Sequence, residues 1–322
     1  MSKTALITGI TGQSGSYLAE LLLKKGYEVH GLIRRLSVPN LTNIESILGS
    51  IHLLEGDLMD QGSLDAAVRK IRPDEVYNLG AQSFVATSWT QPILTHEITA
   101  LGAVRLLEAV RNNCPEARVY QASSSEQFGN SQAPQNENTP FKPRSPYACA
   151  KTFAHLCARN YRESYGMFIS CGICFNHESE RRGIEFVTRK ITDGVAKIRL
   201  GKAKYIEMGN LDAKRDWGYA PDFCNAMWHM LQLDKPDDFV IATGECHTVQ
   251  EFVEKALEAA GLEPDVKKYI RINPKFVRPA EVNELRGDYS KANKAFGWSP
   301  KVKFEKLVKI MVENDIDKRN IR

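Results

Sequence analysis

Two short segments carry side chains that could do acid–base chemistry. The segment QASSSEQFGN, residues 121–130, follows an apolar run with three hydroxyls and one carboxylate, Glu126. The segment SPYACAK, residues 145–151, places Tyr147 and Lys151 four residues apart, so a helix would present both on one face. A tyrosine with its ordinary pKa of about 10 becomes a useful base only where nearby positive charge favours the phenolate. Together the two segments predict a site that moves protons.

A glycine turn near the N-terminus predicts a dinucleotide-binding site. The segment TALITGITGQSGSYLAELLLKKG reads as a strand, a turn and a helix. Its glycines permit a tight turn, close approach of the backbone to a pyrophosphate, and close packing of the helix on the strand. The start of the helix offers free N–H groups to the phosphates. The predicted cofactor contacts of this turn are Gly9, Thr11, Gly12, Gln13 and Gly15.

The ends of the following strands predict which dinucleotide binds. Arg34 and Arg35 end the second strand, where proteins that prefer NAD place an acidic residue. Two guanidinium groups suit a 2′-phosphate, so the predicted cofactor is NADP, and a solvated basic turn is the alternative interpretation. Further predicted cofactor contacts follow the third and fourth strands, at Asp57, Leu58, Leu79, Ala81 and Ser83.

Alternating apolar runs and helical patterns must position these residues. The runs KTALIT, YEVHGLI, IHLLEG, DEVYNLG, ARVYQAS and FISCGIC read as strands, with helices over 13–25, 61–71, 97–113 and 146–165. This alternation predicts βαβ units and a parallel sheet covered on both faces. Beyond about residue 175 the pattern is more mixed, with charged loops and helices near 185–199, 221–233 and 248–260.

We therefore predict an α/β fold with two parts. The first is a Rossmann-type doubly wound parallel sheet, the NADP-binding domain, over residues 1–180. The second is a smaller mixed α/β domain over residues 181–322, which is mainly substrate-binding and partly interleaved with the first.

Composition and charge exclude several other classes of protein. A formal net charge of +4 over 322 residues does not indicate a nucleic-acid-binding face. The sequence contains no run of about 20 apolar residues, so no membrane span is predicted. The first apolar run is too short for the core of a signal peptide. Seven irregularly spaced cysteines do not suggest a disulfide framework, so a reducing cytoplasm is expected. Cys171 and Cys174 lie in an apolar strand pattern, which favours a buried core over a metal site, and no metal is predicted.

Longer segments resemble one enzyme family. They include EVYNLGAQSFV, YQASSSEQFG, TPFKPRSPYACAK, FNHESERRG and GNLDAKRDWG. With the spacing Gly-x-x-Gly-x-x-Gly, the chain resembles the extended short-chain dehydrogenase/reductase family and, within it, the GDP-mannose 4,6-dehydratases. The last two segments are the most specific to that group. The resemblance implies a cytoplasmic, NADP-dependent carbon–oxygen lyase of deoxysugar biosynthesis that acts on a GDP-sugar as a homodimer or homotetramer.

The same resemblance implies roles for the residues of the two opening segments. Tyr147 would remove the C4 hydroxyl proton while hydride passes to NADP, and Ser124 would hydrogen-bond the C4 oxygen. Glu126 would remove the C5 proton, water would leave from C6, and hydride would return to C6. Lys151 would also hold the nicotinamide ribose. Ser125 lies where related dTDP-glucose dehydratases have an aspartic acid, so Glu126 is a candidate for acid as well as base.

Further contacts are implied by the same resemblance. His177 and Arg182 would approach the cofactor, Arg182 from a neighbouring subunit. The chain departs from the family at Ser124, where threonine is usual, and at Ser14, where aspartate is common. The implied contacts of the GDP-sugar are Ser83, Asn176, Val187, Lys190, Arg215, Arg278 and Glu281.

Other functions on the same scaffold stay open. They are dehydration of a GDP-manno-heptose, reduction of GDP-4-keto-6-deoxymannose, epimerisation of an NDP-sugar, and non-enzymatic NADP sensing. A reductase or epimerase needs serine or threonine, tyrosine and lysine but no base for C5, so Glu126 favours the dehydratase. A sensing scaffold usually loses the tyrosine–lysine pair, which is present at Tyr147 and Lys151.

Overall fold

A parallel sheet of seven strands is the centre of the fold. The structure, a computed structural model, describes residues 2–276 and 279–320. The strands in these residues are, in chain order, β1 (Thr4–Thr8), β2 (Glu28–Ile33), β3 (His52–Glu55), β4 (Glu75–Asn78), β5 (Arg118–Ser124), β6 (Ile169–Cys174), β7 (Asn176–Glu178), β8 (Ile206–Met208), β9 (Lys214–Arg215), β10 (Trp217–Tyr219), β11 (Asp238–Ile241), β12 (His247–Thr248), β13 (Ile270–Ile272) and β14 (Glu284–Leu285). The seven-stranded sheet has the order β11-β6-β5-β4-β1-β2-β3, with parallel pairing throughout.

Helices connect these strands. In the described residues they are α1 (Gln13–Lys24), α2 (Gln61–Ile71), α3 (Val85–Thr90), α4 (Pro92–His96), α5 (Gly102–Asn113), α6 (Pro146–Tyr165), α7 (Val187–Arg199), α8 (Ala220–Met230), α9 (Val249–Ala259), α10 (Val266–Tyr269), α11 (Ser290–Phe296) and α12 (Phe304–Asn320). Short 3₁₀ turns lie at Thr42–Ser50, Ser125–Phe128 and Pro274–Phe276, and a π-helical turn lies at Glu97–Leu101. None of the helices in the described part of the chain combines the length and apolar character that a membrane crossing needs.

Both faces of the sheet are covered by helices. Ala5 and Ile7 of β1 point into a core that contains residues of α1 and α8. Leu6, on the opposite face, lies in a second core with residues of α2 and α5. Alternate residues of one strand are thus buried on two sides, which is why the strands read as continuous apolar runs. The prediction of a doubly wound parallel sheet is confirmed.

The second half of the chain contributes to the same sheet. β11 pairs with β6 at the sheet edge, and α8 packs against α1. A third core lies between α7, α9 and α12 and includes Trp217 and Phe252. Residues on both sides of the predicted boundary at 180 therefore share the central sheet.

The observed elements differ from the predicted ones in a few places. The predicted helix over 97–113 is a π-helical turn followed by α5. β11 and α12 were not predicted as elements from the sequence. β11 has four residues, too few to show a period, and it lies in the second half of the chain, where the alternation of strands and helices that identified the equally short β3 and β4 is lost.

Candidate active site

The carboxyl ends of the strands open into one cavity. Its lining combines the glycine turn after β1 with the residues that follow β4, β5 and β6. Ligands of open α/β sheets bind at this edge, where the chain order of the strands reverses about β1 and β4. The predicted residues that line it are Gly9, Gly12, Gln13, Gly15, Leu79, Ala81, Ser83, Ser124, Glu126, Tyr147, Lys151, Asn176, His177, Arg182 and Val187.

The glycine turn leaves room for a diphosphate. Gly9 has a φ of +70°, which side chains rarely adopt, and a Cβ there would lie 3.0 Å from the nitrogen of Gly80. A Cβ on Gly15 would lie 2.2 Å from the carbonyl oxygen of Gly9, so only glycine lets α1 approach β1. Gly12 caps α1 without a side-chain hydrogen bond, which leaves the first N–H groups of the helix for an anion. The oxygen of Thr11 accepts a hydrogen bond from Asn43 Nδ2 at 3.0 Å.

A network of buried polar side chains connects three strands beneath the cavity, and the sequence did not predict it. Thr8 Oγ1 donates to Asn78 Oδ1 at 2.7 Å and accepts from the nitrogens of Leu79 and Gly80. Asn78 Nδ2 donates to Gln121 Oε1 at 2.8 Å. This network joins the ends of β1, β4 and β5, so the small residues after β4 stay close to the glycine turn. Polar residues in otherwise apolar strand ends were the signal available in the sequence.

Ser124 and Glu126 form the start of a short 3₁₀ turn at the end of β5. Ser124 Oγ accepts a hydrogen bond from the nitrogen of Glu126 at 3.3 Å. Gln127 Oε1 accepts from the nitrogen of Ser124 at 2.7 Å, which completes a capping box. Ser124 and Glu126 are each only 8% exposed, so their side chains have little contact with solvent. Gln127 was missed, although the spacing Ser-x-x-Gln of a capping box is readable in the sequence.

Tyr147 and Lys151 lie in the first two turns of α6. Ser145 caps the helix by accepting from the nitrogen of Ala148 at 3.1 Å. Lys151 Nζ donates to the oxygen of Ala122 at 2.8 Å and lies 6.0 Å from the centre of the Tyr147 ring. Burial lowers the pKa of Lys151 to about 8. The ammonium group therefore ties α6 to β5 at a substantial desolvation cost.

Burial decides the protonation of Tyr147 in the absence of a ligand. Burial raises the pKa of Tyr147 to about 12, and the carboxylate of Glu126 also acts to raise it. The hydroxyl of Ser124 and the cation of Arg182 act in the opposite direction. The predicted phenolate depends on Lys151 together with the positive nicotinamide ring; the Lys151 ammonium is bound to Ala122, and without the ring burial of the phenol dominates. Without a ligand, Tyr147 is therefore a neutral hydrogen-bond donor at neutral pH.

His177 is a neutral acceptor at the mouth of the glycine turn. Its Nδ1 lies 2.9 Å from the oxygen of Phe175, which can only accept, so Nδ1 carries the proton. Nε2 then accepts from the hydroxyl of Ser14 at 2.9 Å. Burial, followed by the charge of Arg182, lowers the pKa of His177 to about 4. Ser14, which departs from the family pattern, thus has a hydrogen-bonding partner suited to its hydroxyl.

Arg182 lines the same cavity as Tyr147 of its own chain. Its Nε lies 3.2 Å from Glu178 Oε2, and its guanidinium stacks 3.7 Å from the centre of the Phe186 ring. Glu178 is 2% exposed, and burial raises its pKa although Arg182 opposes this. The contact of Arg182 with a neighbouring subunit stays a prediction.

The predicted 2′-phosphate and adenine contacts lie outside the lining of this cavity. Arg34 and Arg35 are exposed after β2, and Arg35 Nε lies 3.8 Å from Glu55 Oε1. Asp57 Oδ1 accepts from the nitrogen of Met59 at 2.9 Å. Leu58 is buried in the core beneath. These residues follow β2 and β3, on one side of the glycine turn.

The predicted substrate contacts fall into two groups. Ser83, Asn176 and Val187 line the cavity itself. Lys190, one turn further along α7, is not in that lining, and its Nζ lies 3.1 Å from the centre of the Phe276 ring. Burial lowers the pKa of Lys190.

Arg215 and Glu281 form the second group. Arg215 Nη2 donates to Glu281 Oε1 at 3.1 Å, and its Nη1 donates to the oxygen of Val282 at 2.8 Å. Arg215 is only 5% exposed, so this pair is a fixed structure rather than a mobile surface contact. Arg278, the remaining predicted contact, lies outside the described residues.

The cysteine pair of β6 is part of the core. Cys171 and Cys174 are buried free thiols, and burial raises the pKa of both. Cys174 Sγ lies 3.3 Å from the hydroxyl of Tyr120. Among residues 2–276 and 279–320, no group of three or more His, Cys, Asp or Glu side chains could hold a metal ion.

Similarity to known proteins extends over almost the whole chain. A family profile described as GDP-mannose 4,6 dehydratase matches residues 6–311. GDP-mannose 4,6 dehydratase 2 of Arabidopsis thaliana is 53% identical, over 98% of this chain and 87% of that protein. GDP-mannose 4,6 dehydratase of Drosophila melanogaster is 50% identical, over 98% and 86%. The crystal structure of UDP-glucose 4-epimerase from Thermus thermophilus in complex with NAD is 27% identical, with a TM-score of 0.84 over 97% of this chain and 98% of that chain.

Proposed function

Because this chain belongs to the GDP-mannose 4,6-dehydratase family, we propose that it converts GDP-D-mannose to GDP-4-keto-6-deoxy-D-mannose and water. The observation that carries the proposal is the convergence of Tyr147 and Glu126 on one cavity with the glycine turn. This reaction needs a base for an alcohol and a second base for a neighbouring carbon, and a reductase or epimerase needs only the first. The proposed catalytic residues are Ser124, Glu126, Tyr147 and Lys151.

The glycine turn fits a nicotinamide dinucleotide. Gly15 lets α1 pack closely on β1, and the start of α1 offers unpaired N–H groups to a diphosphate. When bound, the cofactor supplies reversible hydride uptake at C4 and hydride return at C6. Lys151 would hold its nicotinamide ribose, and His177 would approach the cofactor beside the glycine turn.

The residues of the chain move the protons. As a phenolate, the form that the positive charge of a bound nicotinamide ring would favour, Tyr147 would accept the proton of the C4 hydroxyl, and Ser124 would donate a hydrogen bond to the same oxygen. Once C4 is a ketone, the adjacent C5–H is acidic and Glu126 accepts its proton. The C–O bond at C6 then breaks, and the protonated Glu126 gives its proton to the leaving hydroxide. The proton that Tyr147 took from the C4 hydroxyl balances the one that C5 regains when hydride returns to C6. The 8% exposure of Glu126 keeps this carboxyl away from bulk water.

NADP is the proposed form of the cofactor. Arg34 and Arg35 support this choice because both are exposed, and the ion pair of Arg35 with Glu55 is weak because both of its side chains are exposed to solvent. Titration of the purified protein with NADP and with NAD tests it, and we expect tighter binding of NADP. A homodimer or homotetramer in the cytoplasm completes the proposal, and the free cysteines are consistent with a reducing compartment.

Glu126→Gln tests the reaction itself. Glutamine keeps the size of the side chain but cannot accept the C5 proton, so release of water should fall about 10²- to 10⁴-fold. Product is followed by mass spectrometry after incubation with NADP and GDP-mannose, with a GDP-manno-heptose as comparison substrate. The control is Glu313→Gln on the exposed face of α12, which should leave turnover unchanged.

Cofactor affinity is measured in both variants. Unchanged NADP binding by Glu126→Gln shows that the site is intact. Turnover equal to that of the wild-type protein would then contradict the proposed role of Glu126.

A further inference from the structure

A row of three polar residues runs from the cavity into the core, and the proposed mechanism does not use it. Ser123 Oγ lies 2.8 Å from Nδ1 of His155. Nε2 of His155 lies 3.6 Å from Oδ2 of Asp238. The three residues are 5%, 1% and 8% exposed, and Ser123 lines the cavity. One end of the row therefore faces the ligand space and the rest is closed off.

The row joins the two elements that carry the catalytic residues. Tyr147, Lys151 and His155 follow one another at intervals of four, so they share one face of α6. Lys151 binds the oxygen of Ala122, and His155 binds the side chain of the next residue, Ser123. Two consecutive residues at the end of β5 are thus tied to the face of α6 that holds Tyr147.

The direction of the hydrogen bond follows from the surroundings of His155. Burial lowers the pKa of His155 to about 4, so its ring is neutral and carries one N–H. The carboxylate of Asp238 can only accept; at 3.6 Å it makes no strong hydrogen bond, but its field favours the proton on Nε2. Nδ1 then accepts, and the hydroxyl of Ser123 donates to it.

We propose that Ser123 is a further ligand-binding residue of this cavity, and that His155 is the positioning residue that makes it an acceptor. Because the proton of the Ser123 hydroxyl is committed to His155, the lone pairs of its oxygen are left for the cavity. They suit a ligand that donates a hydroxyl. Such a hydroxyl could belong to the sugar of the substrate or to the ribose of the cofactor. The inference rests on the proposed function for these two ligands.

Ser123 is a binding group rather than a nucleophile. Serine, histidine and aspartate in this order activate a serine for attack in hydrolases, where the carboxylate stabilises the imidazolium. Here Asp238 is held by Arg162 at 2.9 and 3.2 Å, and burial keeps His155 neutral. A poorly basic imidazole orients the hydroxyl but does not remove its proton.

Ser123→Ala in the full-length protein tests the acceptor. The loss of one neutral hydrogen bond should weaken one ligand about 3- to 10-fold. Titrations with NADP and with GDP-mannose decide the source, because a ribose contact weakens the first and a sugar contact weakens the second. Wild-type affinity for both ligands would overturn the proposal.

Two variants of His155 test the positioning role. His155→Leu removes the acceptor of the Ser123 proton and should weaken the same ligand as Ser123→Ala. His155→Asn keeps an acceptor near Nδ1 and should restore much of that affinity, which a purely structural role would not predict. Adding Ser123→Ala to His155→Leu should cost no further affinity, and additive losses would count against the coupling.

These measurements are independent of turnover. If His155→Leu does not fold, Ser123→Ala and His155→Asn still decide the question. A wild-type protein that binds both ligands but releases no water would refute the proposed function, and the binding comparison would still stand.

Discussion

Replacing Lys151 by methionine should change the pH dependence of folding. The pKa of this ammonium falls from 10.5 to about 8 on burial. At about 1.36 kcal/mol for each pKa unit, the folded protein carries a cost of about 3 kcal/mol for the charged form at neutral pH. Methionine fills a similar volume without charge, so the variant does not carry this cost. The oxygen of Ala122 loses one of its two donors in exchange, because Gln121 Nε2 also donates to it at 3.2 Å, so this loss costs about 0.5–1.5 kcal/mol.

The sign of the pH effect follows from the two pKa values. Because the folded-state value is the lower one, the unfolded chain binds more protons between about pH 8 and pH 10.5. Wild-type stability therefore gains up to about 3 kcal/mol as the pH rises through this window, whereas the methionine variant does not. Relative to the methionine variant, the wild-type protein should therefore gain about 2–3 kcal/mol of stability between about pH 7 and about pH 10.

Urea unfolding of the ligand-free proteins at a series of pH values measures this difference. The exposed Lys306 of α12 offers the control, because Lys306→Met should follow the pH profile of the wild-type protein. A stability difference between Lys151→Met and wild type that stays constant from about pH 7 to about pH 10 would refute the argument. It would show that the ammonium remains hydrated in the folded protein.

Three further outcomes are expected at the same site. Gly15→Ala should abolish NADP binding, because its Cβ would meet the oxygen of Gly9 at 2.2 Å, while Gly49→Ala, which meets nothing within 4 Å, should bind normally in the same titration. Tyr147→Phe should lower the rate of water release at least about 10²-fold without changing NADP affinity, and turnover near the wild-type rate would contradict its role as base. Arg35→Ala should weaken NADP but not NAD in parallel titrations, and equal loss for both would place the arginine away from the 2′-phosphate.

The sheet and the glycine turn could be predicted from the sequence because both produce local patterns among neighbouring residues. Apolar runs mark buried strands, and the intervals between Gly9, Gly12 and Gly15 mark the turn. Residues that work through a distant partner could not be found in this way. Thr8 and Asn78 are 70 residues apart, and Ser123 and His155 are 32 apart, so only the fold pairs them.

The pKa values of the site residues were harder to predict than the identity of those residues. Lys151 was expected to shift the pKa of Tyr147 downwards, yet the degree of burial of each side chain decides both values. Burial depends on the packing of whole elements and is not visible in a spacing of four residues. The fixed pair of Arg215 and Glu281 shows the same limit, since the sequence predicts both as contacts of the GDP-sugar but does not show that they bind each other.

The position of β11 has a consequence for synthesis on the ribosome. β6 is the last strand that the first half of the chain adds to the sheet, and its outer edge is covered only when β11 docks. About 60 residues separate the two strands, which takes several seconds at roughly 5–20 residues per second. During that interval an apolar strand edge is open to other chains. A fragment that stops near residue 180 would lack β11 and leave this strand edge uncovered. We therefore expect this fragment to aggregate when it is expressed alone.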